Sequence, residues 1–163
     1  MLIPKSGAWI LVFVFGATAI AKPNFTGTWV RDASASGSFT EILNPVIGPS
    51  RSQAGPNFIL RVSHRGKRLQ VTVEQDASKP IATTYDLGRG WHGSFLRDFG
   101  GMQYRSSWKG DTLVIEKYVA YRGNFGDMRG DLKQNWALSP GGDIMIITTT
   151  RNGVIAREVF KRK

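Results

Sequence analysis

Ile144–Phe160 reads IMIITTTRNGVIAREVF. Two apolar, β-branched runs flank Asn152-Gly153, and an Asn-Gly pair in that setting is the strongest short signal for a tight β-hairpin. The same grammar recurs upstream. Phe58, Leu60 and Val62 alternate with Ile59, Arg61 and Ser63; Leu69, Val71 and Val73 alternate with Gln70, Thr72 and Glu74. Met102, Tyr104, Ser106 and Trp108 alternate with Gln103, Arg105 and Ser107, and Leu132, Gln134, Trp136 and Leu138 with Lys133, Asn135 and Ala137. Period two means one face against a core and one face against water. Gly-bearing turns separate the runs at His64–Lys67, Lys109–Asp111 and Pro140–Asp143. Gly66, Gly110 and Gly142 each lead from a turn into a strand, but their spacing is too unequal for a repeat array. The pattern predicts an all-β antiparallel meander of about eight to ten strands, as a closed barrel or a strongly curved sheet. No segment has a sustained helical period; Phe39–Leu43 allows one short turn. Ala33–Asn57, rich in Ser, Pro and Gly, reads as a long loop after the first strand, and a loop of that length usually has a task such as covering a site.

Composition narrows the chemistry. The chain has 163 residues, 41% of them hydrophobic, which is one domain's worth of sequence and enough to build a core. It has no cysteine, which excludes a disulfide scaffold, a thiolate metal site and a cysteine nucleophile. Two histidines exclude a three-His metal site. The net charge is +10, with basic clusters at Arg65, Lys67 and Arg68 and at Lys161–Lys163. Such a charge maintains solubility and favours anionic surfaces, for instance those of a cell envelope.

The first segment reads as an address. Lys5 precedes the apolar run GAWILVFVFG at Gly7–Gly16, and Ala19-Ile20-Ala21 forms an A-x-A site. This is the pattern of a cleaved secretory signal over 1–21, and the run is shorter than the ~20 residues a membrane span needs. The remaining 22–163 form a single domain, exported to a periplasmic or extracellular space, where nucleic acid is not an expected partner.

Asn24-Phe25-Thr26-Gly27-Thr28-Trp29 then carries a G-x-W strand start. It resembles the opening of lipocalins and the wider calycin superfamily. Trp108–Ile115, Trp136–Gly142 and Val159–Arg162 look like pieces of short secreted bacterial proteins with lipocalin-like folds. The resemblance implies a lipocalin-like β-barrel that binds a small apolar molecule, with Trp29 closing its bottom and a basic residue of the last strand packed across that ring. Arg157 is the best match for that residue, with Lys161 and Arg162 as alternatives; Gly27, Trp29 and Arg157 form the expected closure. The chain departs from typical lipocalins in lacking their disulfide and C-terminal helix. Independently of the resemblance, Trp29 beside Phe25 reads as a core anchor whose indole N–H needs a partner.

Several motifs bear on the chemistry. Gly88-Arg89-Gly90-Trp91-His92-Gly93 fits G-x-G-x-x-G, but Gly100-Gly101 follows too soon for the helix that a dinucleotide site needs. It reads as a Gly-rich loop over Gly88–Gly101 whose Trp91 and His92 rim a binding site. Arg129-Gly130-Asp131 is short enough to be chance, and the Asn24 sequon abuts the first strand. His64 and His92 have no accompanying carboxylate cluster, so no metal is expected. No nucleophile elbow, P-loop or acid pair is present, so no catalytic residue and no cofactor is expected and the chain reads as a non-enzyme. Lys117 falls among Leu113, Ile115, Val119 and Tyr121 on one parity of its strand. A lysine there is a snorkelling edge residue, the mark of a β-bulge, or a buried cation awaiting an anion. The other parity, Val114, Glu116, Tyr118 and Ala120, leaves the inward side open.

These features support an exported barrel binding a small, partly apolar and, through Lys117, anionic molecule, with Trp91, His92, Tyr104, Ser106, Lys117 and Gln134 as candidate ligand contacts. The alternative is a surface-binding or inhibitory module with a filled barrel, working through the loops 33–57 and 88–101. A membrane-embedded barrel is disfavoured by the polar side chains Gln70, Thr72, Glu74, Arg105, Lys133 and Asn135 on the wet face.

Overall fold

The computed structural model describes residues 22–37, 58–75, 79–96, 100–123 and 126–163. The segment 1–21 expected as a signal, the turn expected at Phe39–Leu43 and most of the loop expected over 33–57 lie outside them. Ten strands follow in order: β1 (Gly27–Arg31), β2 (Phe58–Arg65), β3 (Arg68–Gln75), β4 (Ile81–Asp86), β5 (His92–Leu96), β6 (Gly100–Lys109), β7 (Thr112–Gly123), β8 (Gly126–Leu138), β9 (Ile144–Arg151) and β10 (Val154–Arg162). There is no helix among the described residues.

Except for β4 and β5, sequence neighbours pair antiparallel, as the alternation predicts, and one further pairing closes the molecule. β1 lies between β2 and β10, so the sheet runs β4-β3-β2-β1-β10-β9-β8-β7-β6-β5, with every pairing antiparallel. The result is a nearly closed barrel whose two free edges, β4 and β5, meet at a seam. The Asn152-Gly153 hairpin is present, with both residues at positive φ (49° and 80°) as a two-residue turn requires. The segment expected to be a Gly-rich loop holds β5. Gly93 (φ 97°) lets the chain press against the Met102 carbonyl, where a Cβ would collide, so a strand forms despite its glycines. Before β1, Asn24 Oδ1 accepts the Thr26 amide.

The inward parity carries the core. Phe58, Leu60, Leu69, Val71, Leu113, Ile115, Trp136, Met145 and Phe160 are all buried with Trp29 and Phe25. Each large apolar side chain withdrawn from water contributes ~1.5–3 kcal/mol. A core of this size explains how the chain manages without disulfides. At the bottom of the barrel Phe25 stacks on His64 and Trp108 and meets Trp136 edge-on. A cavity of about 20 Å³ lies in the described interior among Phe58, Val71, Gln134, Trp136 and Glu158.

Trp29 is fully buried, and its indole N–H donates to the Phe25 carbonyl (2.9 Å). The cation across its ring is Arg162, 4.2 Å from the ring centroid, and not Arg157. Parity is the reason. Ala156, Glu158 and Phe160 face inward, and Arg162 continues that face at the strand end. Arg157 faces outward and donates to the Ala35 carbonyl, helping hold the segment after β1. Arg162 also donates to the carbonyls of Thr26 (2.7 Å) and Gly142 (2.9 Å). A Cβ on Gly27 would lie 2.5 Å from Arg162 Nη1, so the glycine of G-x-W leaves room for the guanidinium.

Replacing Gly27 by Ala is expected to lower stability by about 1–3 kcal/mol by displacing that guanidinium, and Arg162→Ala should cost a comparable amount. Because both act through one contact, the double variant should lose clearly less than the sum in urea denaturation. Additive losses would show that the two residues act separately.

Candidate functional site

The β7 register decides the direction of Lys117. β7 pairs without interruption with β6 and with β8, so no bulge resets its parity. Lys117 therefore points inward with Leu113 and Ile115, and it is 1% exposed. Tyr104 is its register partner on β6 and Leu132 on β8. Its Nζ donates to the Tyr85 hydroxyl (2.7 Å). No ion pair joins it to a carboxylate among the described residues. Burial pushes its ammonium down from the usual lysine range to about 7.

Tyr85 was not legible as a site residue. It is the one buried residue of β4 and is itself fully enclosed. Its ring meets Tyr104 edge-on, with centroids 5.0 Å apart, and the Tyr104 hydroxyl accepts the Asp86 amide (2.7 Å). Tyr85 on β4, Tyr104 on β6 and Lys117 on β7 thus bridge the seam between the unpaired edges. His92 stacks on Tyr104 at 5.5 Å and joins this group. Trp91 does not: it lies on the outer face, with its ring 5.1 Å from the Arg105 guanidinium.

Deeper in, Ser106 faces inward on the parity of Tyr104, and Gln134 is buried. The Gln134 Nε2 donates weakly to Thr149 Oγ1 (3.4 Å), and its Oε1 has no hydrogen-bond partner among the described residues. Two further inward charges were missed. Glu158 is 7% exposed, and its Oε1 lies 3.5 Å from Arg31 Nε. Burial raises the Glu158 carboxyl to about 7, against the opposing pull of Arg31. Arg151 follows the buried Met145, Ile147 and Thr149 on the inward parity of β9. Its Nε and Nη2 lie 3.4 Å from the position of a Gly130 Cβ, and its Nε is buried without a hydrogen-bond partner among the described residues. Parity counting along β9 and β10 was the signal that could have found Arg151 and Glu158. The described interior therefore grades from apolar at the bottom to a polar upper half that is richer in cations than in carboxylates.

No group of three or more potential ligands that could hold a metal occurs among the described residues. His64 is in the lower core beside Phe25, where burial lowers its pKa.

No family model matches the chain, and no curated protein matches it by sequence. Solved structures do match by fold. Secretory abundant heat soluble protein 4 from Ramazzottius varieornatus has a TM-score of 0.58 at 14% identity, covering 90% of this chain and 99% of its own. A protein described as REP1-NXSQ fatty acid transporter has a TM-score of 0.57 at 12% identity, covering 85% and 96%. The N57A mutant of the fluorescent protein UnaG has a TM-score of 0.61 at 21% identity, also covering 85% and 96%. Together with the topology, these show a lipocalin-like β-barrel fold.

The two perturbed interior groups act on stability in opposite pH windows. Glu158, raised when folded, retains a proton that the unfolded chain releases, so its contribution is full below about 4.5 and is lost as pH rises through about 7. Lys117, depressed when folded, contributes fully above about 10.5, and that contribution is lost as pH falls through about 7. Relative to wild type, Lys117→Met should gain stability as pH falls from 10.5 to 7. Glu158→Gln should gain as pH rises from 4.5 to 7. Urea midpoints measured across pH 4–10 provide the check; parallel curves for variants and wild type would mean that neither group titrates as described.

Proposed function

We propose that this protein is an exported, non-enzymatic carrier that holds a small, partly apolar molecule in its upper interior, with the anionic head of that ligand directed at Lys117 and Arg151. The buried Lys117 ammonium carries the reading. A cation in an apolar enclosure without a carboxylate partner is costly, and an anion entering beside it recovers that cost. Arg151 reinforces the positive field, Tyr85 and Tyr104 supply hydroxyls, and Gln134 offers an amide. Leu132 and Ile115 present apolar surface for the body of the ligand. One protein of the same fold is described as a fatty acid transporter, and none of the three is named as an enzyme. Export rests on the segment 1–21, and the basic clusters suit an anionic envelope surface.

The packing of Phe25, Trp29, Trp108 and Trp136 against one another in the described core favours the alternative of a surface-acting module, and ligand recovery separates the two readings. Native mass spectrometry of the protein from its own host, followed by denaturing extraction, should yield a bound amphiphile. In displacement of a fluorescent probe, dodecanoate should outcompete dodecanol. Lys117→Met should weaken dodecanoate about ten- to hundredfold, the ~1.5–3 kcal/mol of a hydrogen bond to a charged group, and leave dodecanol nearly unchanged. An empty protein that takes up neither probe would exclude the carrier reading.

A further inference from the structure

Lys117 is the one buried lysine among the described residues. Its side chain shares the inward parity with Leu113 and Ile115, and its register partners are Tyr104 and Leu132. The charged residues next to these positions, Glu116 and Lys133, belong to the outer row formed by Arg105, Glu116, Lys133 and Thr150, on the opposite parity. Glu116 is held there by Arg105. The Lys117 Nζ lies 2.7 Å from the Tyr85 hydroxyl and 4.7 Å from the centroid of the same ring.

Two events relieve a buried ammonium in such a setting. An anion can enter beside it, or the group can give up its proton. Burial moves Lys117 toward the second, down to about 7, so near neutrality a substantial share of the side chain is the free amine. A free amine in an apolar enclosure is a nucleophile, and lysines desolvated in this way form Schiff bases with carbonyl compounds. The lining of an open cleft of about 430 Å³ includes Lys117 and Leu132, which gives a carbonyl compound an approach to the nitrogen.

We propose that Lys117 forms an imine with a long-chain aldehyde, with the Tyr85 hydroxyl moving a proton between nitrogen and oxygen. The amine lone pair attacks the carbonyl carbon, the C–N bond forms, and the C=O π pair moves to oxygen. Tyr85 donates its hydroxyl proton to that oxygen and takes one from the nitrogen, which leaves a neutral carbinolamine. The C–O bond then breaks, the nitrogen pair closes the C=N bond, and the hydroxyl group departs with the second N–H proton as water. One amine and one aldehyde give one imine and one water, so no oxidant or reductant enters. The placement of the aldehyde chain against Leu132 and Ile115 rests on the carrier reading above. Anion binding uses the ammonium of Lys117 and imine formation its amine, so each can fail without the other.

The test is incubation of the purified protein with dodecanal and cyanoborohydride, which reduces an imine to a stable dodecyl-lysine, followed by peptide mass spectrometry. Lys117 should be labelled about tenfold or more faster than the exposed Lys67, Lys79 and Lys109. Tyr85→Phe, shown to be folded by circular dichroism, should slow labelling of Lys117 about tenfold or more, with rates at the exposed lysines unchanged. Labelling confined to exposed lysines, or wild-type labelling of Lys117 in Tyr85→Phe, would overturn the proposal. Dodecanoate affinity of the same protein keeps the two uses of Lys117 apart. Dodecanoate binding without labelling of Lys117 overturns the imine and leaves the anion site; labelling without dodecanoate binding supports the imine and removes the anion site.

Discussion

The guanidinium of Arg162 across the ring of Trp29 is the contact on which the barrel depends. It joins the last strand to the first at the one place where the sheet order leaves sequence order. Without the β1–β10 pairing, the chain would be a hairpin unit of β2–β4 and a meander of β5–β10 with no shared core. Arg162 adds three links at that junction: the face of Trp29, the Thr26 carbonyl and the Gly142 carbonyl. Gly27 supplies the space and Phe25 takes the indole proton, so the G-x-W segment operates as one device. Arg162 is exposed at the strand end, where a cation–π contact is worth about 0.5–1 kcal/mol. With its two hydrogen bonds to backbone carbonyls, the residue contributes noticeably to the ~5–15 kcal/mol by which a domain of this kind is stable.

The opposite constraint acts at the seam. β4 and β5 are edges with no ladder between them, and exposed edges invite pairing with other chains. Here side chains do the joining. Tyr85 crosses to Tyr104 and Lys117, and the Tyr104 hydroxyl takes the Asp86 amide. Phenol rings suit this role because they fill apolar volume and still satisfy polar groups at their tips. The seam and the candidate ligand site therefore share residues. An occupant that draws the Lys117 ammonium away from Tyr85 would also alter how the two edges are held together.

Much of the fold was legible because period two is unambiguous where one face is wet and one is dry. β2, β3, β9 and β10 read directly from Phe58–Ser63, Leu69–Glu74 and the segment around Asn152-Gly153. β5 was hidden because its glycines mimic a loop; the backbone contact that requires Gly93 belongs to a partner strand and has no local signature. β4 was hidden because Tyr85 is its one buried residue, so its alternation carries almost no hydrophobic contrast. The site was half legible for a related reason. Lys117 and Tyr104 stand out against apolar neighbours, whereas the importance of Tyr85 comes from a contact across the seam, between residues 32 positions apart. The choice of Arg157 over Arg162 came from matching a residue type to a strand without counting its parity from Phe160.

Parity also explains how a small barrel presents two unlike surfaces. Along β7, Lys117 faces the interior and Glu116 the outer row; along β8, Leu132 and Gln134 face in while Asp131 and Lys133 face out. A shift of one residue in either strand would exchange the two sets, burying Glu116 and Lys133 and exposing Ile115 and Trp136. The ladders on both sides of β7 run without a bulge through these positions, which is what keeps the interior cationic and the outer row balanced. The buried Lys117 is tolerable only because the same register surrounds it with Ile115, Leu113 and Tyr104 and supplies the Tyr85 hydroxyl from across the seam. The electrostatics of both faces therefore follow from strand register, and the register is pinned by the large inward residues Trp136, Leu113 and Trp29, which have nowhere else to be buried.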